Sequence, residues 1–243
     1  MIGKIEEKLK MDDYDLEAVF TPAVVNFLIL DFVFMCTILP VVENTTWWHA
    51  ALAIVVPIAA AVILTRFFMN LFRATSRIYE DILYRKDRLN FPTTSMLLLS
   101  VRNISHEKKM KARNILKTKY KTSLCPQHME TTDEMEARRT AKDAASIIRK
   151  VVAESKDAMT RRKLIRYGTF RNFLGGSIYC LPLAIAFWAI DYHHSGVYSN
   201  IILLTLIFYA VLFLIDIYLT MSAADDYADT LITSFIFLNH DEA

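Results

Sequence analysis

Four long apolar runs, at residues 23–42, 48–72, 173–190 and 201–224, constrain this chain more than any motif in it. Each is close to the roughly 20 residues that a helix needs to cross the hydrocarbon core of a bilayer. Hydrophobic residues make up 54% of the sequence, and the excess is gathered in these runs instead of being spread at core-helix or strand spacing. The sequence therefore predicts four membrane-spanning helices. A cleavable signal peptide is not expected, because the first run starts late, contains Asp31 and follows Asp12, Asp13, Asp15 and Glu17.

The placement of cations gives these spans a direction. Three basic residues fall within the first ten positions, the other 25 lie between Arg66 and Arg171, and none of the 28 Lys+Arg follows Arg171. The loops at 43–46 and 191–200 hold neither Lys nor Arg, so both should face away from the cytoplasm. Trp47, Trp48, Tyr192 and Tyr198 mark the ends of those loops, where amphipathic rings settle at headgroup level. Both termini are then cytoplasmic. Residues 66–171, with 25 basic and 11 acidic side chains, adjoin the leaflet that bears anionic lipid. Cys36 and Cys180 sit within apolar runs and Cys125 in the basic segment, an arrangement that predicts no disulfide. The sequon Asn44-Thr45-Thr46 is pressed between two runs and reads as a helix-end loop.

The expected fold is an all-α membrane protein: four transmembrane helices as two hairpins, joined by a cytoplasmic helical stalk. Residues 1–21 read as a cytoplasmic amphipathic helix. Residues 22–72 form the first hairpin, with spans near 22–42 and 48–72, and residues 73–168 form a basic cytoplasmic helical domain. Residues 169–224 form the second hairpin, with spans near 170–191 and 199–222, and 225–243 are an acidic cytoplasmic tail. Within the basic domain, Leu71, Ile78, Ile82 and Leu89 predict that the second span continues as a helix with one apolar face, ended by Phe91-Pro92. A basic helix is expected over about 107–121. Asp133 and Glu136 have capping-box spacing and open the longest soluble helix. Its stripe Ala137, Ala141, Ala144, Ile148, Val151, Ser155, Ala158 predicts a close-packed seam against the second helix or another subunit. The apolar residues Leu231, Ile232, Phe235, Ile236, Phe237 and Leu238 of the tail need a covering partner, most simply this chain's own basic segment.

Two motifs carry a resemblance. Pro92-Thr93-Thr94 followed by Leu97 is similar to a P-T-T-x-x-L signature. Tyr167-Gly168-Thr169-Phe170-Arg171-Asn172-Phe173-Leu174-Gly175 resembles Y-G-F-R-R-N-L-x-G, departing from it at Thr169 and Phe170. Both belong to a family of uncharacterised small bacterial inner-membrane proteins, and the order of spans and basic segment also fits. The resemblance implies architecture and location, and it implies no activity.

Several side chains are candidates for function. Asp31 stands mid-span, where an ionised carboxylate costs about 2.5 to 3.5 kcal/mol; Tyr179 and Tyr209 reach similar depth and complete a candidate intramembrane polar group. It reads as an interhelical hydrogen bond or, in the sharper reading, as a proton relay. Arg66 and Asp216 lie at matching depth and form a candidate ion pair, with Arg171 as a rival for the carboxylate. Lys108, Lys109, Lys111, Arg113, Lys117, Arg161 and Arg162 are candidate contacts for an anionic ligand or lipid. Nucleic acid is not expected, because few aromatic residues accompany these cations. Asp191, His193, His194 and His49 give only a weak metal-binding pattern, so neither metal nor cofactor is expected. Phosphate-binding glycine loops, H-E-x-x-H, G-x-S-x-G and paired C-x-x-C are absent from the sequence.

These features predict a non-enzymatic, self-associating membrane protein whose cytoplasmic part receives a signal, an anionic ligand or a protein partner. Its spans, rich in small residues and punctuated by Pro40, Pro57 and Pro182, would be the working element, altering permeability. The alternative is a channel or proton-coupled transporter subunit that uses Asp31.

Overall fold

The computed structural model describes residues 14–26, 28, 67–85, 88–195 and 200–239. Most of the predicted first and second spans, the Asn44 loop, Asp31, Cys36, His49 and Arg66 lie outside the described residues. Every element among the described residues is a helix and none is a strand, so the chain is all-α. Helix α1 occupies 14–26, with Asp15–Phe20 wound as a π-helix, and α2 occupies 67–83. Then follow α3 (Pro92–Ser95), α4 (His106–Lys119), α5 (Gln127–Thr132), α6 (Glu134–Glu154), α7 (Ala158–Ser195) and α8 (Asn200–Leu238).

Local chemistry sets the ends of these helices. Pro92 occupies the first turn of α3, where its missing N–H leaves no gap. Ser105 caps α4 by accepting from the Lys108 N–H, and Asp133 caps α6 by accepting from the Glu136 N–H at 3.2 Å. Lys156, with φ of 55°, closes α6 in the left-handed conformation usually given to glycine. Asp157 opens α7 by accepting from the N–H groups of Met159 and Thr160.

The chain divides into two compact units, Met1–Ile78 with Gly168–Thr220, and Tyr79–Tyr167 with Met221–Ala243. The second has a conventional apolar core. Ala137, Ala141, Ala144, Ala145, Ile148 and Val152 of α6 pack with Met96, Leu97 and Leu98, with Ala112 and Leu116 of α4, and with Tyr227, Ala228, Leu231, Ile232 and Phe235 of α8. The small-residue seam is thus filled within this chain as far as Ile148. Beyond it, Val152 is buried and the expected Val151 is half-buried against the same core, whereas Ser155 and Ala158 are exposed. The apolar tail patch is the C-terminal part of α8, whose Leu231, Ile232 and Phe235 belong to the same core.

In the first unit the distribution is reversed. Helices α7 and α8 carry two stretches, within Ala158–Ile190 and Leu203–Leu238, long and apolar enough to cross a membrane. Buried core helices pass the same test, but here Leu204, Leu214 and Tyr218 are 65%, 67% and 72% exposed. Asn26, Ser76, Asn172, Ser177, Asp216 and Thr220 are buried instead. On α2, which runs from the first unit into the second and ends at 83, short of the expected stop at Phe91-Pro92, Phe72, Ser76 and Glu80 are buried, whereas Ile78 and Ile82, expected on a packed stripe, are exposed.

Candidate functional site

The buried polar residues of the first unit are the candidate site. Small residues bring its helices close enough for these groups to meet. A Cβ on Gly175 would stand 2.5 Å from the Phe72 carbonyl oxygen of α2, and one on Gly176 would stand 2.5 Å from Asn26 Nδ2 of α1. One on Gly168 would stand 2.8 Å from the Tyr14 hydroxyl and 3.0 Å from the Ala18 Cβ. Between these contacts, Asn172 donates from Nδ2 to the Ala18 carbonyl at 2.6 Å, while its Oδ1 lies 3.2 Å from Ser76 Oγ. Thr169 donates to the Glu17 carbonyl, and both acceptors lie in the π-wound turn of α1. Arg171 donates to the Tyr14 hydroxyl, and Arg73 pairs with Asp15 at 2.6 Å. The stretch from Gly168 to Gly175 is therefore a packing surface for α1 and α2.

Deeper along α7 and α8 lies the carboxyl of Asp216. Ser177 Oγ stands 3.0 Å from Asp216 Oδ2 and 3.0 Å from the Phe173 carbonyl oxygen. Asp216 is 3% exposed and Ser177 fully buried. One helical turn on, Thr220 Oγ1 is buried with no hydrogen-bond partner. Two turns back, Tyr209 donates to the Asn26 carbonyl at 3.2 Å and packs with Cys180 and Ala184. Asn26 donates from Nδ2 to the Pro22 carbonyl, and its Oδ1 is buried without a partner.

The second unit has its own polar cluster, around the loop that follows α3. Glu130 of α5 accepts from the Leu99 and Ser100 N–H groups at 3.0 and 2.8 Å and pairs with Arg113 at 3.0 Å. Burial alone would push the Glu130 carboxyl up; the two backbone donors and the guanidinium outweigh it and hold it below its ordinary value. Lys109 is buried, which pushes its ammonium down, and it donates to the Leu98 and Val101 carbonyls. Arg113 also donates to the Leu97 and Cys125 carbonyls. Near α2, the Tyr167 hydroxyl donates to Glu80, and its ring stacks on Tyr227 at 6.4 Å.

The candidates read from the sequence meet different fates. Tyr209 lies in the buried polar interior, and Tyr179 stacks on Phe72 with ring centroids 6.3 Å apart. Asp31 and Arg66, their proposed companions, lie outside the described residues. The partners seen for Asp216 and Arg171 are Ser177 and Tyr14. Among the expected anion contacts, Lys109 and Arg113 are turned inward onto carbonyls and Glu130. Lys108 pairs with Asp229, and Lys111 pairs with Glu107 at 2.7 Å. Lys117, Arg161 and Arg162 are exposed. Of the weak metal pattern, only the His193 side chain is described; it is exposed, and the described residues hold no group of three metal-ligating side chains. Sequence reading passed over Asn26, Asn172, Ser177 and Thr220. Their signal was available: Asn26, Asn172 and Ser177 sit in or beside apolar runs, and Thr220 follows Asp216 by four positions on one helix face.

Compared with protein-family models, with curated proteins and with solved structures, the chain matches none.

Proposed function

We propose that this chain is a non-enzymatic, self-associating integral membrane protein of a bacterial inner membrane whose spans alter permeability. The observation that carries the reading is the inverted polarity of the first unit. Water rewards the burial of Leu204, Leu214 and Tyr218 and the exposure of Asn172 and Asp216, and this unit does the opposite. A hydrocarbon solvent asks for that arrangement, with polar groups meeting one another inside a bundle. The cation-free outer loops extend the reading to four spans as two hairpins with cytoplasmic termini. The likeness of Pro92–Leu97 and Tyr167–Gly175 to small bacterial inner-membrane proteins agrees with it. The second unit, with its basic surface, is the part that receives a signal, an anionic ligand or a protein partner.

Dye release from vesicles of phosphatidylethanolamine and phosphatidylglycerol tests this. Release is expected to rise more steeply than in proportion to the protein-to-lipid ratio, as self-association requires. Release that stays at the level of empty vesicles at every ratio, with insertion shown by resistance to carbonate extraction, would overturn the permeability reading.

A further inference from the structure

We propose that Asp216 is a proton-binding site of the first unit, a carboxyl held in its neutral form and hydrogen-bonded to Ser177. The inference rests on the reading that α7 and α8 lie in a membrane. Its first ground is hydrogen-bond accounting. The Ser177 hydroxyl is within 3.0 Å of two oxygens, Asp216 Oδ2 and the Phe173 carbonyl, and it owns one hydrogen. If Asp216 carries a proton, both contacts are satisfied: the carboxyl donates to Ser177 Oγ, and Ser177 donates to Phe173. If Asp216 is ionised, Ser177 must turn its hydrogen to the carboxylate and give up the carbonyl.

The second ground is the surroundings. Asp216 is buried, its hydrogen-bond partner is the neutral Ser177 on α7, and the buried neutral hydroxyls of Thr220 and Tyr209 lie one turn further and two turns back on α8. Of the described arginines of this unit, Arg73 pairs with Asp15 of α1, Arg171 donates to Tyr14 and Arg77 is exposed. Arg66, which the sequence offers as a partner for Asp216, is outside the described residues. Thr220 Oγ1, buried and without a partner, is a donor held in reserve for the ionised state. The step is a simple exchange: hydronium gives a proton to Asp216 Oδ2 and leaves as water, and the reverse transfer returns the proton to water or hydroxide. Two proton states with two hydroxyl orientations make a binary element linking α7 and α8.

Infrared spectroscopy of the full chain in lipid nanodiscs tests the site directly. At neutral pH the wild type is expected to show a buried carboxylic-acid carbonyl stretch that is lost in Asp216→Asn and disappears as pH is raised. Ser177→Ala should keep this band and move it to higher frequency, because the acceptor is gone. Where Asp216→Asn fails to reconstitute, Asp216→Glu should shift the band without abolishing it. A spectrum that neither variant changes would mean an ionised Asp216, paired with Arg66 or another cation, and would overturn the proposal. A band removed by sodium at constant pH would overturn it in favour of a sodium site. The band in a protein that releases no dye would refute the permeability reading alone. Its absence from an inserted protein would refute the proton site alone.

Discussion

Glu130 shows how single side chains hold the second unit together. Its carboxylate is buried with Arg113 and fixes two backbone N–H groups of the loop after α3, so truncating it leaves two backbone donors without their acceptor and a buried guanidinium without its counter-charge. Glu130→Ala is expected to cost about 3 to 5 kcal/mol, the loss typical when one partner of a buried pair is removed. Thermal unfolding of the full chain in detergent, followed by helical circular dichroism, measures it. The pH dependence has a definite sign. The folded carboxyl lies below its ordinary value, so its stabilisation is complete above the ordinary carboxylate range of about 4 and is lost as pH falls through the lower folded value. Glu130→Gln should flatten that acid limb; an unchanged limb would show that Glu130 does not govern it. Gly175 makes a second residue-scale case. Its Cβ would meet backbone, whereas that of Gly176 would meet the end of a side chain. Gly175→Ala is therefore expected to destabilise by about 1 to 3 kcal/mol and Gly176→Ala by less. The reverse order in the same melts would contradict this packing. Asp216 could be singled out in the sequence as a polar residue in an apolar run, but Ser177 could not be named as its partner, because helix rotation is not written in the run itself.

At the scale of elements, the sequence was most legible where periodicity met capping chemistry. Asp133 opens α6 as its spacing with Glu136 requires, and Ala137, Ala141, Ala144 and Ile148 form its buried face. Legibility failed where polarity and burial part company. The apolar face of Ile78 and Ile82 on α2 is exposed, and the buried face carries Ser76 and Glu80. A period marks a face, but only the solvent around the helix decides which way it turns. The end of α6 offers a test of element chemistry. Lys156 takes a left-handed conformation at the position after the C-cap. Lys156→Gly is expected to stabilise the second unit by about 1 kcal/mol, visible as a raised melting temperature. A lowered melting temperature would mean that the lysine side chain contributes more than its backbone costs.

At the scale of the whole molecule, the two units differ in where they put their polar groups. The core of the second unit is apolar and its surface charged, whereas the first unit buries asparagine, serine and aspartate and exposes leucine and isoleucine. Composition and the four apolar runs pointed to membrane spans, of which the described helices offer two candidates. They could not announce the polar interior, because the contacts of Asn26, Ser76, Asn172, Ser177 and Asp216 join segments up to 183 positions apart, as Tyr209 and Asn26 show. The most direct measurement is the accessibility of nitroxide spin labels placed singly along residues 203–218 of the reconstituted protein. Labels at Leu204, Ile207, Val211, Leu214 and Tyr218 are expected to be reached by dissolved oxygen and shielded from a water-soluble nickel chelate, with a helical period. If the chelate reaches these positions as freely as it reaches exposed Ser146 on α6, the first unit faces water and the account is contradicted.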